Sequence, residues 1–137
     1  MGTDGAVSNN SFDLLSDSRL AALLVKAVAG DATALNAHRA LAAITSNGAL
    51  ALGLQDRIGS LSVGKEADMV AFRFDHLRAE PIYDPASQLI YSAGASEVSD
   101  SWIGGQQMVE NGELCTLDPG AVRQSALNWR QRIGSHQ

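Results

Sequence analysis

The sequence is poor in the features that mark secreted, membrane-spanning and thiol-rich proteins. It has one cysteine in 137 residues, Cys115, so it can build neither an internal disulfide framework nor a zinc site made of thiolates. No apolar run approaches the roughly 18 residues of a membrane span. The opening letters MGTDGAVSNNS lack the basic and apolar regions of a signal peptide. These absences predict a protein of the reducing cytoplasm with no membrane partner.

The charge of the chain is acidic and contains no basic run. Ten Lys and Arg residues against 15 Asp and Glu residues give a formal net charge of -5. A nucleic-acid partner needs a clustered basic face, so none is predicted. A hydrophobic content of 45% over this length is enough for one compact domain.

The first half of the sequence has the pattern of helices. The segment FDLLSDSRLAALLVKAVAG predicts an amphipathic helix that stops at Gly30. A second segment, ATALNAHRALAAITSNGALALGL, predicts two helices with a break at Asn47-Gly48. The apolar residues at helical spacing in the first segment are Leu20, Leu23, Leu24, Ala27 and Val28.

From Gly59 onward the pattern changes to short strands. Gly104-Gly105 and Asn111-Gly112 are both favoured in tight hairpins, so a small antiparallel meander is expected. Its edges would be open to pairing with another chain. The predicted strands cover residues 69–72, 98–103, 106–110 and 113–115.

Two further helices are predicted from their start signals. Asp84 is a suitable N-cap with Pro85 at the first helical position, and Asp118-Pro119 repeats the same signal. Trp102 and Trp129 are expected to anchor the core. Helices followed by strands and one helix predict an α+β fold. The apolar stripe of the last helix consists of Val122, Ala126, Trp129 and Ile133.

The opening Gly2-Thr3-Asp4-Gly5 places one carboxylate between two glycines. Residue types alone favour an Asx-type turn that leads into a helix N-cap. Ser8, Asn9 and Asn10 precede the first long helix and are themselves suitable cap residues. A functional role for Asp4 therefore depends on the wider pattern of the sequence.

Three separated segments resemble one family in the family's own order. GTDGAVSNNSFDLLSDSRLAALLVKA resembles the last barrel strand and following helix of amidohydrolases that deaminate methylthioadenosine and adenosylhomocysteine. NGALALGLQDRIGSLSVGKEADMVAF is similar to the superfamily's signature where the chain leaves the barrel for a small β-sandwich. DPASQLIYSAGASEVSDSWIGGQQMVENGEL resembles the closing segment of the chlorohydrolase and deaminase branch. The sequence thus resembles the C-terminal part of a metal-dependent amidohydrolase.

The resemblance implies an α+β fragment that begins inside the last strand of a TIM barrel. Residues 1–57 would be the C-terminal end of the (β/α)8 barrel, 58–117 part of a composite β-sandwich, and 118–137 a C-terminal helix. Lys65, Glu66 and Asp68 would shape the turn between barrel and sandwich.

The resemblance also implies a catalytic role for Asp4. In the family this aspartate binds a divalent metal, usually zinc, and accepts a proton from the metal-bound water that attacks a purine-like or triazine ring. A divalent cation lowers the pKa of bound water from 15.7 to about 7, and a neighbouring carboxylate can take the proton. Ser8 and Asn9 would lie where the family's loop faces the small heterocyclic substrate.

The other metal ligands of the family have no counterpart in this sequence. The family uses a His-x-His pair, two later histidines and a glutamate, whereas His38, His76 and His136 match none of these positions and are expected to be surface or packing residues. A catalytic zinc needs about three protein ligands. The chain alone is therefore expected to bind no metal and to be inactive.

Two alternatives to an inactive enzyme fragment remain open at this stage. The first is a non-catalytic interaction module, and the second is one subunit of a split amidohydrolase whose other chain supplies the histidines. A homo-oligomer formed through exposed apolar faces or strand edges is compatible with any of these.

Overall fold

The computed structural model of the chain describes residues 1–134, which form a mixed α and β fold with a small sheet. Within those residues, no helix is both long and apolar enough to cross a membrane. The α-helices are α1 (Ala6–Asn9), α2 (Leu14–Ala29), α3 (Ala37–Ile44), α4 (Ser46–Ala51), α5 (Pro85–Tyr91) and α6 (Pro119–Gly134), and short 3-10 helices cover Leu77–Ala79 and Ala95–Glu97. The strands are β1 (Met69–Phe72), β2 (Val98–Ile103), β3 (Gln106–Glu110) and β4 (Glu113–Leu114).

Helix α2 ends where the sequence predicts. The side chain of Asp13 accepts a hydrogen bond from Ser16 N–H and caps the start of the helix, and Gly30 follows its end in the left-handed region at φ 62°. The residues that α2 buries are Ser18 and Ala22, whereas Leu24 on the apolar stripe is 53% exposed. The predicted helix is confirmed, but its leucines are not part of the core of this chain.

The break between α3 and α4 lies at Thr45. The expectation of a break at Asn47-Gly48 is wrong, because both residues lie within α4. Thr45 has φ -121° and ψ -97°, and its hydroxyl donates to the carbonyl of Leu41 at 2.7 Å, which satisfies an acceptor in the last turn of α3. The chain also returns over this region, since a Cβ on Gly59 would lie 2.6 Å from that of Ala49. A tertiary contact therefore accompanies the break.

The four strands form one antiparallel sheet in the order β1-β2-β3-β4. Gly104 and Gly105 connect β2 to β3 with φ of 56° and 80°, and Asn111 and Gly112 connect β3 to β4 with φ of 49° and 83°. Positive φ at both central residues is the requirement of the type I′ turn, one of the two turns favoured in two-residue hairpins. The predicted meander is confirmed, with the last strand ending at Leu114 rather than at residue 115.

Charged residues of the second family-like segment hold the turn that leads into β1. The ammonium of Lys65 donates to the carbonyl of Gln55, and Arg57 pairs with Glu66 at 2.7 Å. Asp68 Oδ1 accepts a hydrogen bond from the backbone N–H of Gly104 at 2.7 Å and so ties this turn to the β2–β3 hairpin. These contacts agree with a structural role for the segment.

Helices α5 and α6 start as predicted, but α6 buries nothing. Asp84 accepts hydrogen bonds from the N–H groups of Ala86 and Ser87 at the start of α5. No residue of α6 is buried, and Trp129 is 57% exposed. The expectation that Trp129 anchors the core is wrong, because every residue of α6 is exposed, whereas Trp102 is half-buried in β2.

The core between α2, α3 and α5 is built almost entirely of alanine. Small side chains let the helix axes approach closely, and Ile90 is the largest side chain that is fully buried. Leu35, Leu41, Ile44 and Tyr91 pack around this cluster while remaining partly exposed. The buried cluster consists of Ala22, Ala37, Ala40, Ala86 and Ile90.

Two basic side chains of α2, Arg19 and Lys26, hydrogen-bond to neighbouring segments of the chain. Arg19 donates from Nε to the carbonyl of Ile90 at 2.9 Å and from Nη2 to that of Ala93. The ammonium of Lys26 donates to the carbonyls of Ala34 and Leu35 and to the hydroxyl of Tyr91 at 2.8 to 2.9 Å. Charge-assisted hydrogen bonds, which are stronger than neutral ones, thus connect α2 to α5 and to the segment before α3.

Replacing Lys26 with methionine is expected to lower the free energy of unfolding by about 3 kcal/mol, because partly buried carbonyl groups lose a charged donor. Methionine keeps an unbranched apolar stem, so the change isolates the ammonium. Urea unfolding followed by circular dichroism measures the effect. Tyr91→Phe removes only one of the acceptors and should cost less; an equal or larger loss for Tyr91→Phe would contradict the role given to Lys26.

Candidate active site

Asp4 lies in an exposed turn just before α1. Its backbone has φ 56°, a left-handed conformation that Asp and Asn tolerate better than most residues. Oδ1 accepts a hydrogen bond from the backbone N–H of Gly5 at 2.7 Å. This bond is the main reason that the pKa of Asp4 is lowered. The carboxylate is therefore ionised at neutral pH and accessible from outside.

Ser8 and Asn9 lie on α1, and Asn10 ends it at φ 61°. The Ser8 hydroxyl donates to the carbonyl of Gly5 at 3.0 Å. Asn9 Nδ2 donates to the carbonyl of Thr3 at 2.8 Å and to Asp17 Oδ2 at 2.9 Å. Neither residue caps the long helix, since Asp13 does so. The Ser8 bond is local to the start of α1, whereas the Asn9 bonds connect the opening segment to the first turn of α2.

The described residues do not form a metal site by themselves. Within residues 1–134, no group of three or more His, Cys, Asp or Glu side chains is placed to hold a metal ion. His38 is exposed on α3, and its Nε2 lies 3.8 Å from Asp84 Oδ1. The Nε2 of His76 lies 3.5 Å from Glu97 Oε1. His136 falls outside the described residues. Asp4 alone does not meet the ligand requirement of a catalytic zinc.

An open apolar groove begins beside the segment that carries Asp4. Its volume is about 690 Å³, and it lies between α3, α4, the 58–61 loop and β1. The N-terminal ammonium of Met1 donates to the carbonyl of Ala43 at 3.3 Å and brings the opening segment to the rim of the groove. Apolar residues of the wall include Met1, Leu41, Ile44, Leu61, Met69 and Val70.

Large apolar side chains are exposed along much of the chain. Folded monomers seldom expose extended apolar patches, and larger ones mark surfaces that another structure covers. Side chains more than 70% exposed are Val7, Phe12, Val28, Leu52, Leu61, Val63, Leu77 and Tyr83.

The model of the amidohydrolase family matches residues 1–108 of this chain. The chain belongs to the amidohydrolase family. A 5-methylthioadenosine/S-adenosylhomocysteine deaminase from Teredinibacter turnerae is 44% identical over 135 residues, which cover 98% of this chain and 30% of the relative. A deaminase of the same name from Moorella thermoacetica is 42% identical over 86% of this chain and 28% of the relative. The chain thus spans about 30% of the length of the curated relatives it matches.

Solved structures give the same relationship. An adenosine deaminase from Xanthomonas campestris with bound zinc has a TM-score of 0.94 and 48% identity, over 98% of this chain and 30% of that one. A zinc complex of an atrazine chlorohydrolase from Arthrobacter aurescens has a TM-score of 0.83 and 30% identity, over 90% of this chain and 28% of that one. The resemblance to the deaminase and chlorohydrolase branch of these hydrolases is confirmed.

Acidification below about pH 4 is expected to lower the stability of this amidohydrolase chain. Hydrogen bonds lower the pKa of several carboxylates, mainly from the Thr33 hydroxyl for Asp31, the Ser87 hydroxyl for Asp84, and the Gly94 N–H for Glu97. Because the pKa of each is lower in the folded state, their contribution to stability is present above the unfolded pKa. It is lost as the pH falls through the folded value.

Urea midpoints measured from pH 7 to pH 2.5 test this expectation. The double substitution D84N/E97Q should flatten the acid limb of the profile. Glu80→Gln is the matched control, because Glu80 accepts no hydrogen bond within residues 1–134 and its removal should leave the profile unchanged. A profile equally steep in the double variant would show that other groups control acid unfolding.

Proposed function

We propose that this chain is the C-terminal part of an amidohydrolase that hydrolytically deaminates methylthioadenosine and adenosylhomocysteine. The observation that carries the proposal is the 44% identity to a deaminase of that name across 98% of the chain. The chlorohydrolases are more distant at 30% identity, so replacement of a ring amino group is preferred over replacement of ring chloride.

In this proposal residues 1–57 close a (β/α)8 barrel, residues 58–117 supply part of a composite β-sandwich, and residues 118–137 are a C-terminal helix. The distribution of elements supports this division, because α1 to α4 end at Ala51 and the strands run from Met69 to Leu114. The apolar groove and the exposed leucines of α2 are then surfaces that the rest of the barrel covers.

Asp4 is the proposed catalytic carboxylate and one ligand of a divalent metal, zinc, whose remaining ligands lie outside this chain. Its exposure and its lowered pKa support this role, since an ionised carboxylate can both bind a cation and accept a proton. Because one carboxylate does not fit a complete metal site, the chain alone is proposed to be inactive.

Ser8 and Asn9 are proposed to contact the substrate. The Ser8 hydroxyl uses its proton on the Gly5 carbonyl and retains oxygen lone pairs, while Asn9 uses its amide N–H groups on Thr3 and Asp17 and retains its amide oxygen. Both groups are therefore acceptors, suited to an N–H or O–H of a nucleoside.

Joining this chain to a relative tests the proposal. The fusion replaces the matching 30% of the Teredinibacter turnerae deaminase with residues 1–137. It is assayed for ammonia release from methylthioadenosine and adenosylhomocysteine and for chloride release from a chlorotriazine. We expect deamination by the fusion, and neither bound zinc nor turnover from the chain alone. A folded, zinc-loaded fusion without deaminase activity would contradict the proposal.

A stand-alone interaction module is disfavoured by the same surface. Such a module would keep its large apolar side chains inside, whereas Val7, Val63 and Leu77 are each more than 90% exposed. In a split enzyme, the part of the barrel that covers these apolar surfaces would be a separate chain. In a single longer protein, it would belong to the same chain. Purification from the source together with a separate barrel-containing subunit would favour the split form.

A further inference from the structure

Residues 110–134 form a continuous exposed segment that the proposed active site does not use. Every residue in this range is exposed, and the range lies beyond the family model, which ends at residue 108. The Teredinibacter turnerae deaminase and the zinc-bound adenosine deaminase nevertheless each match 98% of the chain, which includes this range. The segment therefore continues in these relatives beyond the part that the family model matches.

Helix α6 within this segment has apolar residues at the spacing found in helices that pack against a partner. Its apolar stripe advances by four, three and four residues, which is the spacing of heptad core positions. Arg123 and Arg130 fall directly beside the stripe, and the guanidinium of Arg132 lies over the Trp129 ring at 4.7 Å. The stripe is Val122, Ala126, Trp129 and Ile133.

The arginines decide which surface α6 can pack against. Residues 119–137 contain three arginines and no Asp or Glu, although the chain as a whole has a net charge of -5. Pairing two α6 helices through their stripes would bring the flanking arginines of both copies together, and like charges across a seam are unfavourable. An apolar surface flanked by carboxylates would instead be complementary to α6.

Such a surface lies at the other end of the same segment. Glu110 and Glu113 are opposite each other across the β3–β4 turn. Leu114 is 47% exposed and Leu117 is 58% exposed. Neither glutamate forms an ion pair within residues 1–134. The segment thus has an acidic apolar half followed by a basic apolar half.

We propose that residues 110–134 are the interface of a two-fold dimer of this chain, in which α6 of each copy lies on Glu110, Glu113 and Leu114 of the other. Two-fold symmetry requires a patch that is complementary to itself, and an acidic half beside a basic half meets this requirement. The segment is also of sufficient size, because stable interfaces use about 20–30 residues a side. The dimer is argued from residues 110–134 alone and does not rest on the deaminase role.

Reciprocal charge reversal tests the dimer. Sedimentation equilibrium is measured on the 137-residue chain with a reductant present, so that Cys115 cannot link copies. We expect the dissociation constant to rise about tenfold or more in R123E/R130E and in E110K/E113K. Combining all four substitutions should restore it. In E110K/E113K the two residues at the turn still carry like charges, so the repulsion between them is unchanged. Only their charge relative to the arginines of the other copy is reversed.

Controls separate this interface from non-specific association. R39E/E80K reverses one charge of each sign outside the segment and should leave dimerisation unchanged. Added salt should weaken the dimer, whereas association through the exposed apolar groove would persist or strengthen. A monomeric wild type, a dimer indifferent to the arginine reversals, or no restoration in the fourfold variant would overturn the proposal. Binding of the monomer to phosphatidylserine vesicles through α6 would also overturn it.

Discussion

Replacing Asp4 with asparagine is expected to lower the deaminase turnover of the fusion enzyme by about 10²–10⁴-fold, the range associated with loss of a positioned proton acceptor. Asparagine tolerates the φ of 56° at this position and keeps an oxygen for the Gly5 N–H. It removes the negative charge alone. Steady-state kinetics with methylthioadenosine measure the loss of turnover. Elemental analysis measures whether the variant still binds zinc.

Asp17→Asn is the matched control for this change. Asp17 is a nearby carboxylate that accepts a hydrogen bond from Asn9, and it is not proposed to touch metal or substrate. Its substitution should alter turnover by less than about tenfold, because it acts only on the position of the opening segment. Equal losses for the two variants would mean that the segment needs its hydrogen bonds rather than the charge of Asp4.

Replacing Ile90 with alanine is expected to lower the free energy of unfolding by about 2–5 kcal/mol. Ile90 is fully buried, and the other buried residues of its cluster are alanines, whose short side chains cannot fill the space it would leave. A domain is stable by only about 5–15 kcal/mol, so this one change removes a large part of the total. Denaturant unfolding followed by tryptophan fluorescence and circular dichroism measures it.

Two further variants test whether the loss of stability depends on the size of the side chain that is removed and on its burial. Ile90→Val should cost only about 0.5–1.5 kcal/mol, since it leaves a smaller cavity. Ile103→Ala removes the same atoms from a residue that is 63% exposed, and it should change stability by about 0.5 kcal/mol or less. A loss at Ile103 equal to that at Ile90 would contradict the placement of the core between α2, α3 and α5.

Local signals in the sequence predicted the elements whose form depends on a few neighbouring residues. Asp84 before Pro85 predicted the start of α5, and Asn111-Gly112 predicted the last hairpin, because caps and tight turns are made by their own side chains and backbone. The break at Thr45 was not predictable in this way. It coincides with the approach of Gly59 from a distant part of the chain.

Burial was harder to predict than secondary structure. The stripe on α2 and the stripe on α6 have the same helical spacing as core residues, yet Val28 is 87% exposed and Trp129 is 57% exposed. Periodicity identifies the face of a helix that packs and carries no information about whether the packing partner is in the same sequence. Family resemblance singled out Asp4, since its local hydrogen bonds resemble those of an ordinary turn.

The order of strands in the sheet also determines how the chain can assemble in time. The connections β2–β3 and β3–β4 are two residues long, so these hairpins close by local contacts on a timescale of about 1–10 μs. Strand β1 pairs with β2 only after the chain between residues 73 and 97, which contains α5, has been brought back on itself. Longer loops close more slowly and at greater entropic cost. During synthesis on a ribosome, β1 therefore emerges long before its partner and waits unpaired until the hairpins form beside it.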